Sequence, residues 1–259
     1  MTFKISLPVS HLFEKEENIR LLSKKYDCLE TRPFTLNCEL PGQQLFHADN
    51  IQPIHELDDS DFKFLEKIRE RKKDLKVISF HCASCCRDPK VEDGIFYKGE
   101  NISYTRDEMY KNAEKNLSTI RSIFPDTVEI SIENNNYYPT DAYSHVTDAQ
   151  FIRDIVYDNN IYFLFDNAHA RVTARNSDIS YTDYVKSLPL DRMNQIQFCE
   201  AFVPDTGLAR DVHELPTDQT VKEIVGLARE YNVQYVTPEY YKSIERLIKL
   251  LESLKNVTI

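Results

Sequence analysis

The sequence predicts an α/β chain folded as one (β/α)8 TIM barrel, a single domain spanning residues 1–259. Three observations predict it. The length of 259 residues is a common size for an eight-stranded barrel. Short apolar runs alternate with helix-patterned stretches along the whole chain. The first run leads into Pro8-Val9-Ser10-His11 with no glycine, whereas a doubly wound dinucleotide-binding sheet needs a Gly-rich turn at that point.

The strands are expected at Lys4–Val9, Cys28–Thr31, Val77–His81, Thr127–Glu133, Ile161–Asp166, Gln195–Phe198 and Val233–Glu239, with an extended piece near Leu45–His47 as the eighth. Most are apolar on both parities, as suits strands covered on both faces of a parallel sheet. Helical faces lie between them. Thr105 and Glu108 form a capping-box pair ahead of Met109, Ala113, Leu117 and Ile120. Phe62, Leu65 and Ile68 form a second stripe, and Phe151, Ile152, Ile155 and Val156 a third. Val221, Ile224, Val225 and Ala228 form a fourth, and Ile244, Leu247, Ile248 and Leu251 a fifth. Asp88–Asn101 and Pro204–Pro216 are read as polar loops, the latter long enough to lie over an active-site mouth.

Composition narrows the function classes. A formal net charge of −10 and a pI near 5.3 argue against sequence-indifferent nucleic-acid binding, which needs clustered Lys and Arg. Only 5 glycines weigh against phosphate-cradling loops. No apolar run reaches the roughly 18 residues of a membrane span, and Met1–Ser10 does not read as a signal peptide, so a cytoplasmic protein is expected. Cys28, Cys38, Cys82, Cys85, Cys86 and Cys199 show no disulfide framework, and Cys82, Cys85 and Cys86 are read as reduced thiols.

The informative pattern is where His, Asp and Glu fall. His47 follows Leu45-Phe46, and His81, Glu133 and Asp166 end strands, with His169 three residues beyond Asp166. Glu239 follows Val236-Thr237-Pro238, and the loop after Gln195–Phe198 carries Asp211-Val212-His213. In a barrel the carboxyl ends of all strands meet on one face. Imidazoles and carboxylates crowded there with no Lys or Arg neighbour call for a divalent cation, and a mixed His/carboxylate set suits iron, zinc or manganese.

Several of these segments resemble the multinuclear non-heme iron-dependent oxidase family of the xylose-isomerase-like barrels. They are Ile132-Glu133-Asn134, Phe165-Asp166-Asn167-Ala168-His169-Ala170, Leu188-Pro189-Leu190-Asp191-Arg192, Asp211-Val212-His213 and Thr237-Pro238-Glu239-Tyr240. The resemblance is clearest over about residues 127–245. It implies two or three iron ions, and a substrate cysteine in a ribosomally made peptide that a separate partner protein recognises. It also implies His47, His81, Glu133, Asp166, Asp211, His213 and Glu239 as metal ligands, and His169 adds a spacing shared with endonuclease-IV-like relatives. One departure stands out: the family's histidine after Leu-Pro-Leu-Asp-Arg is Gln197 here, a poor transition-metal ligand, with Glu200 three residues on as the nearest substitute.

The leading expectation is therefore a metal-dependent oxidoreductase with Glu133, Asp166, His213 and Glu239 as its catalytic core. Asn134 and Asn167 are expected to orient ligands, and Tyr137, Tyr138, Tyr240 and Tyr241 to line the bowl. One alternative is a sugar isomerase or epimerase, or an endonuclease-IV-like hydrolase, using zinc or manganese with Glu133 or Glu239 moving a proton. Another is a non-catalytic barrel that serves as a binding subunit.

Overall fold

The computed structural model describes residues 3–100 and 102–256. Eight parallel strands close into a barrel in sequence order. They are β1 (Lys4–Pro8), β2 (Cys28–Thr31), β3 (Gln43–Ala48), β4 (Val77–His81), β5 (Glu129–Glu133), β6 (Tyr162–Asp166), β7 (Met193–Phe198) and β8 (Tyr235–Pro238). Closure comes from β1 pairing with β8, Lys4 opposite Tyr235. Every expected strand is present, and the extended piece at Leu45–His47 is the centre of β3.

The helices are α1 (Glu16–Leu22), α2 (Asp59–Arg71), α3 (Arg106–Ile123), α4 (Ala149–Asp158), α5 (Asn167–Asn176), α6 (Tyr181–Ser187), α7 (Asp218–Glu230) and α8 (Ile244–Asn256). Between β2 and β3 a short 3-10 turn, Pro33–Thr35, takes the place of a helix. Thr105 caps α3 with its side chain on the Glu108 amide, and Met109, Ala113, Leu117 and Ile120 are buried as the periodicity requires.

Side chains alternate across each strand. Phe46, Phe80, Phe163, Phe165 and Phe198 are fully buried in the main apolar core. The opposite parity faces the barrel axis. Cys28, Leu45, Val77 and Tyr235 form a separate apolar cluster toward the amino ends of their strands. Glu30, His47, Ser79 and Thr237 follow two residues later on the same parity, level with Ser131 of β5, and all are buried. The barrel is thus apolar at its floor and polar toward the carboxyl ends.

The two expected loops contain hairpins. Lys90–Glu92 pairs with Ile95–Tyr97 inside Asp88–Asn101, of which Asn101 lies outside the described residues. Arg210–Glu214 pairs with Glu200–Phe202, so the expected loop Pro204–Pro216 is largely the turn and return strand of a ribbon. Its mixed charges read as solvated chain in the sequence. Among the described residues, no helix is long and apolar enough to cross a membrane.

Candidate metal centre

The carboxyl ends of β3 to β6 deliver the first half of the site. His47, near the end of β3, His81, closing β4, and Glu133, closing β5, meet in a triangle. His47 Nε2 lies 2.9 Å from His81 Nε2, and Glu133 Oε2 is 2.9 Å from His81 Nε2 and 3.4 Å from His47 Nε2. Donors about 2.1 Å from a first-row ion stand roughly 3.0–3.4 Å apart, so the triangle has the right size. The Ser79 hydroxyl, 2.8 Å from His47 Nδ1, leaves Nε2 facing the triangle. Burial pushes His47 down to about 3, which keeps it neutral and able to bind a metal.

Glu133 also turns toward the second half. Its Oε1 lies 3.1 Å from His169 Nδ1, and His169 Nε2 lies 3.6 Å from Asp211 Oδ2. Asp166 ends β6 and caps α5 by accepting the His169 amide at 2.6 Å. Burial opposes a charge on His169, but Asp166 and Glu133 outweigh it and hold the imidazole well above its usual range. Burial raises the Asp166 carboxyl well above the ordinary value, and Glu133 adds to the shift. Acid and imidazole are thus crowded closely enough here to shift one another strongly.

The Glu200–Glu214 ribbon brings the remaining donors. A bulge between Glu200 and Ala201 puts Val212 and His213 out of register, and His213 adopts φ +47°. His213 Nε2 then lies 3.6 Å from Asp211 Oδ2 and 3.3 Å from Glu239 Oε2. All eight residues singled out from the sequence, namely His47, His81, Glu133, Asp166, His169, Asp211, His213 and Glu239, fall into one continuous cup. Donor atoms within 4.8 Å of one another form three groups: His47/His81/Glu133, Glu133/Asp166/His169, and Cys199/Asp211/His213.

Two buried oxygens test whether a cation fits. Asp166 Oδ2 has no hydrogen-bond partner and Glu133 Oε2 makes no well-formed one, facing only the His47 and His81 imidazoles, and a buried carboxylate oxygen so placed is costly unless a cation satisfies it. The donor set and these oxygens fit metal ions at both ends of the cup.

One feature departs from the sequence reading, and two others concern the position of the family's histidine. The site has an arginine: Arg32, just past β2, makes a short ion pair with Glu239 and lies 3.4 Å from Glu30. It escaped notice because an arginine beyond a strand reads as surface charge. The signal is Glu30, a charged residue inside the fully buried strand Cys28–Thr31. Gln197 does not face a metal position with its carbonyl; its amide nitrogen lies 3.0 Å from each Glu30 oxygen, and Gln195 donates to Glu30 at 2.6 Å. Glu200 does not compensate for Gln197; it accepts from the Thr217 amide and the Thr220 hydroxyl at the start of α7.

The supporting residues also sort differently. Asn134 exchanges two 2.9 Å hydrogen bonds with the Asp166 backbone, and its carbonyl oxygen sits 2.9 Å from His169 Nδ1, so it positions both. Asn167 instead donates to the Tyr181 hydroxyl and does not orient the ligands. Tyr241 donates to Glu239 at 3.1 Å, while Tyr240 is buried in the core and Tyr137 packs edge-on to Tyr143. Cys199, unassigned in the sequence, donates to Asp211 at 3.3 Å. All six cysteines are free thiols.

Beside the cup opens a cavity of about 750 Å³ whose wall includes Val9, Phe13, Phe34 and Leu40 and which reaches Arg32, His213 and Tyr241. A second cavity, about 790 Å³, lies against Tyr143 and Tyr184 and touches none of the eight donor residues.

The sequence pattern of the family described as RiPP precursor modification enzyme MbnB/TglH/ChrH matches residues 54–258. The chain belongs to this family. Its members are enzymes that modify ribosomally made precursor peptides, in agreement with the resemblance read from the Glu133, Asp166, Asp211 and Glu239 segments. Glu30, Arg32 and His47 precede the matched span. No curated protein matches in sequence. Among solved structures, the E. coli 3-keto-D-glucoside 4-epimerase is 14% identical, with 98% of each chain covered and a TM-score of 0.64. A D-tagatose 3-epimerase-like protein is 16% identical, covering 98% of this chain and 96% of its own, at 0.62. A xylose isomerase-like TIM barrel protein from Mycobacterium smegmatis, in complex with magnesium, is 10% identical with 98% of each chain covered, at 0.53. These likenesses establish the xylose-isomerase-like barrel fold.

Proposed function

We propose that residues 1–259 form one catalytic domain: a cytoplasmic, multinuclear iron oxidase acting on a cysteine of a peptide that a partner protein presents. The observation that carries this reading is the cup itself. Eight metal-type donors converge there, Asp166 Oδ2 is buried without a partner, and Glu133 Oε2 faces only the His47 and His81 imidazoles. Membership in a family of peptide-modifying enzymes supports a peptide substrate.

In this reading His47, His81 and Glu133 would hold one ion, and Asp166, His169, Asp211 and His213 would supply the ligands of another. Iron there supplies redox chemistry that closed-shell side chains lack, with dioxygen as oxidant and a substrate thiolate as a strong iron ligand. The chain's own residues position and neutralise. Asn134 fixes Asp166 and His169, while Arg32 keeps Glu239 ionised and aimed at His213. The cavity at Val9, Phe13 and Phe34 suits an apolar segment of peptide beside the reacting cysteine.

The sugar-epimerase alternative needs a carboxylate that gains and loses a proton near neutrality. Despite its burial, Glu133 is held well below the usual carboxylate range by His169 and His81, and Glu239 is likewise depressed, mainly by Arg32. The family match, which describes peptide-modifying enzymes, favours the oxidase reading over a sugar epimerase.

The test is to load the protein with Fe(II) under nitrogen and admit air with a cysteine-containing peptide and its serine counterpart. Oxygen uptake that depends on both iron and the thiol is expected. Equal uptake with the two peptides, or none with either, would overturn the proposal.

A further inference from the structure

The cup has two kinds of carboxylate, and they differ in what satisfies them. Asp166 presents a buried oxygen with no hydrogen-bond partner, and Glu133 one that faces only the His47 and His81 imidazoles. Glu30 and Glu239 are surrounded by donors. Glu30 receives the Gln195 amide on Oε2 and the Gln197 amide on both oxygens, with Arg32 on Oε1. Glu239 receives Arg32 and the Tyr241 hydroxyl on Oε1 and faces His213 with Oε2. Strand pairing places these groups side by side. Gln197 lies opposite Asp166 on one flank and opposite Thr237, two residues before Glu239, on the other.

We propose that the Arg32 guanidinium, lodged between Glu30 and Glu239 beside Gln197, takes the place of a metal ion at this corner, so that the protein holds two ions rather than three. The inference rests on the metal-centre reading above. A guanidinium is a permanent cation whose planar N–H groups match carboxylate oxygens. It cannot be exchanged or stripped. Gln197 completes the arrangement by presenting N–H groups to Glu30, where a metal position would require a lone pair. A third ion at this corner would meet a fixed positive charge and would have to share His213, which also faces Asp211 in the outer group.

The experiment counts iron. The full chain is loaded with excess ferrous ammonium sulfate under nitrogen, desalted, and assayed for iron per chain, with near-ultraviolet circular dichroism as the check on folding. Two ions are expected in the parent and in Gln197→His, which keeps Arg32. Three are expected in the double variant Arg32→Met/Gln197→His, where the guanidinium is gone and an imidazole supplied. Three ions in the parent, three in Gln197→His alone, or two in a folded double variant would each overturn the proposal. The parent and the single variant decide the matter even where the double variant does not fold. A parent that binds no iron, or iron content that neither His81→Ala nor His213→Ala lowers, would instead overturn the metal-centre reading, and this proposal with it.

Discussion

The two ends of the cup are built from different material. His47, His81 and Glu133 stand on three adjacent barrel strands whose register is fixed by parallel pairing, His47 opposite Ser79 and His81 opposite Glu133. Asp211 and His213 ride on a two-stranded ribbon outside the barrel sheet, whose two strands pair, among the described residues, only with each other. His47 is 1% exposed in its side chain, and His213 36%. Strands held in a closed barrel place atoms to a fraction of an ångström; a bulged hairpin places them only as well as its contacts hold it. Two ions in one cup should therefore differ in how tightly they are held.

The largest expected effect comes from the residue both ends share. Glu133 reaches the His47/His81 pair with Oε2 and His169 with Oε1. Glu133→Ala should lower bound iron from two ions to fewer than one per chain while leaving the far-ultraviolet spectrum unchanged. Metal content equal to the parent's would break the comparison at its centre.

Next is the contrast between ends. In a chelator challenge, one ion should leave at least tenfold faster than the other. His213→Ala should remove the fast phase and His81→Ala the slow one. A single phase in the parent would mean that ribbon and strands hold metal equally well.

A smaller effect concerns the metal-free protein and pH. The folded chain holds His47 at about 3, below the unfolded value of 6.5, so the unfolded state binds more protons in that window. The contribution of His47 is complete above pH 6.5 and is lost as pH falls toward 3, by at most ~1.4 kcal/mol per pH unit. Urea titrations of the metal-free protein should show this slope, and His47→Gln should flatten it. An unchanged slope would place the imidazole in a wetter setting than the strand end provides.

The smallest effect is at Tyr241. Removing its hydroxyl from Glu239 should cost about 1 kcal/mol of stability and leave iron content unchanged, since Arg32 remains on the same oxygen. A lost ion in Tyr241→Phe would show that the tyrosine holds the arginine corner together.

These contrasts also explain what could be read from the sequence. The strands were legible because burial on both faces demands short runs such as Val77–His81 and Tyr162–Asp166, apolar on both parities. His81, Glu133 and Asp166 were legible because a residue at the carboxyl end of such a run points into the mouth. The ribbon was not, since Arg210–Glu214 pairs with a neighbouring strand, is only partly buried, and carries no alternation. Arg32 was not legible either, because its meaning depends on Glu239, 207 residues away. Gln197 could be seen as a departure, but not that its amide would face Glu30.

The His213 backbone has a consequence of its own. A left-handed φ of +47° is uncommon for a residue with a Cβ, and the ribbon adopts it while its tip at Gly207 stands in solvent. What offsets that twist is whatever grips the imidazole. When the grip is released, the ribbon should loosen as a unit, and trypsin should nick the chain at Arg210 well before it reaches the barrel strands. Protease sensitivity at this one arginine would thus report whether the mouth is occupied.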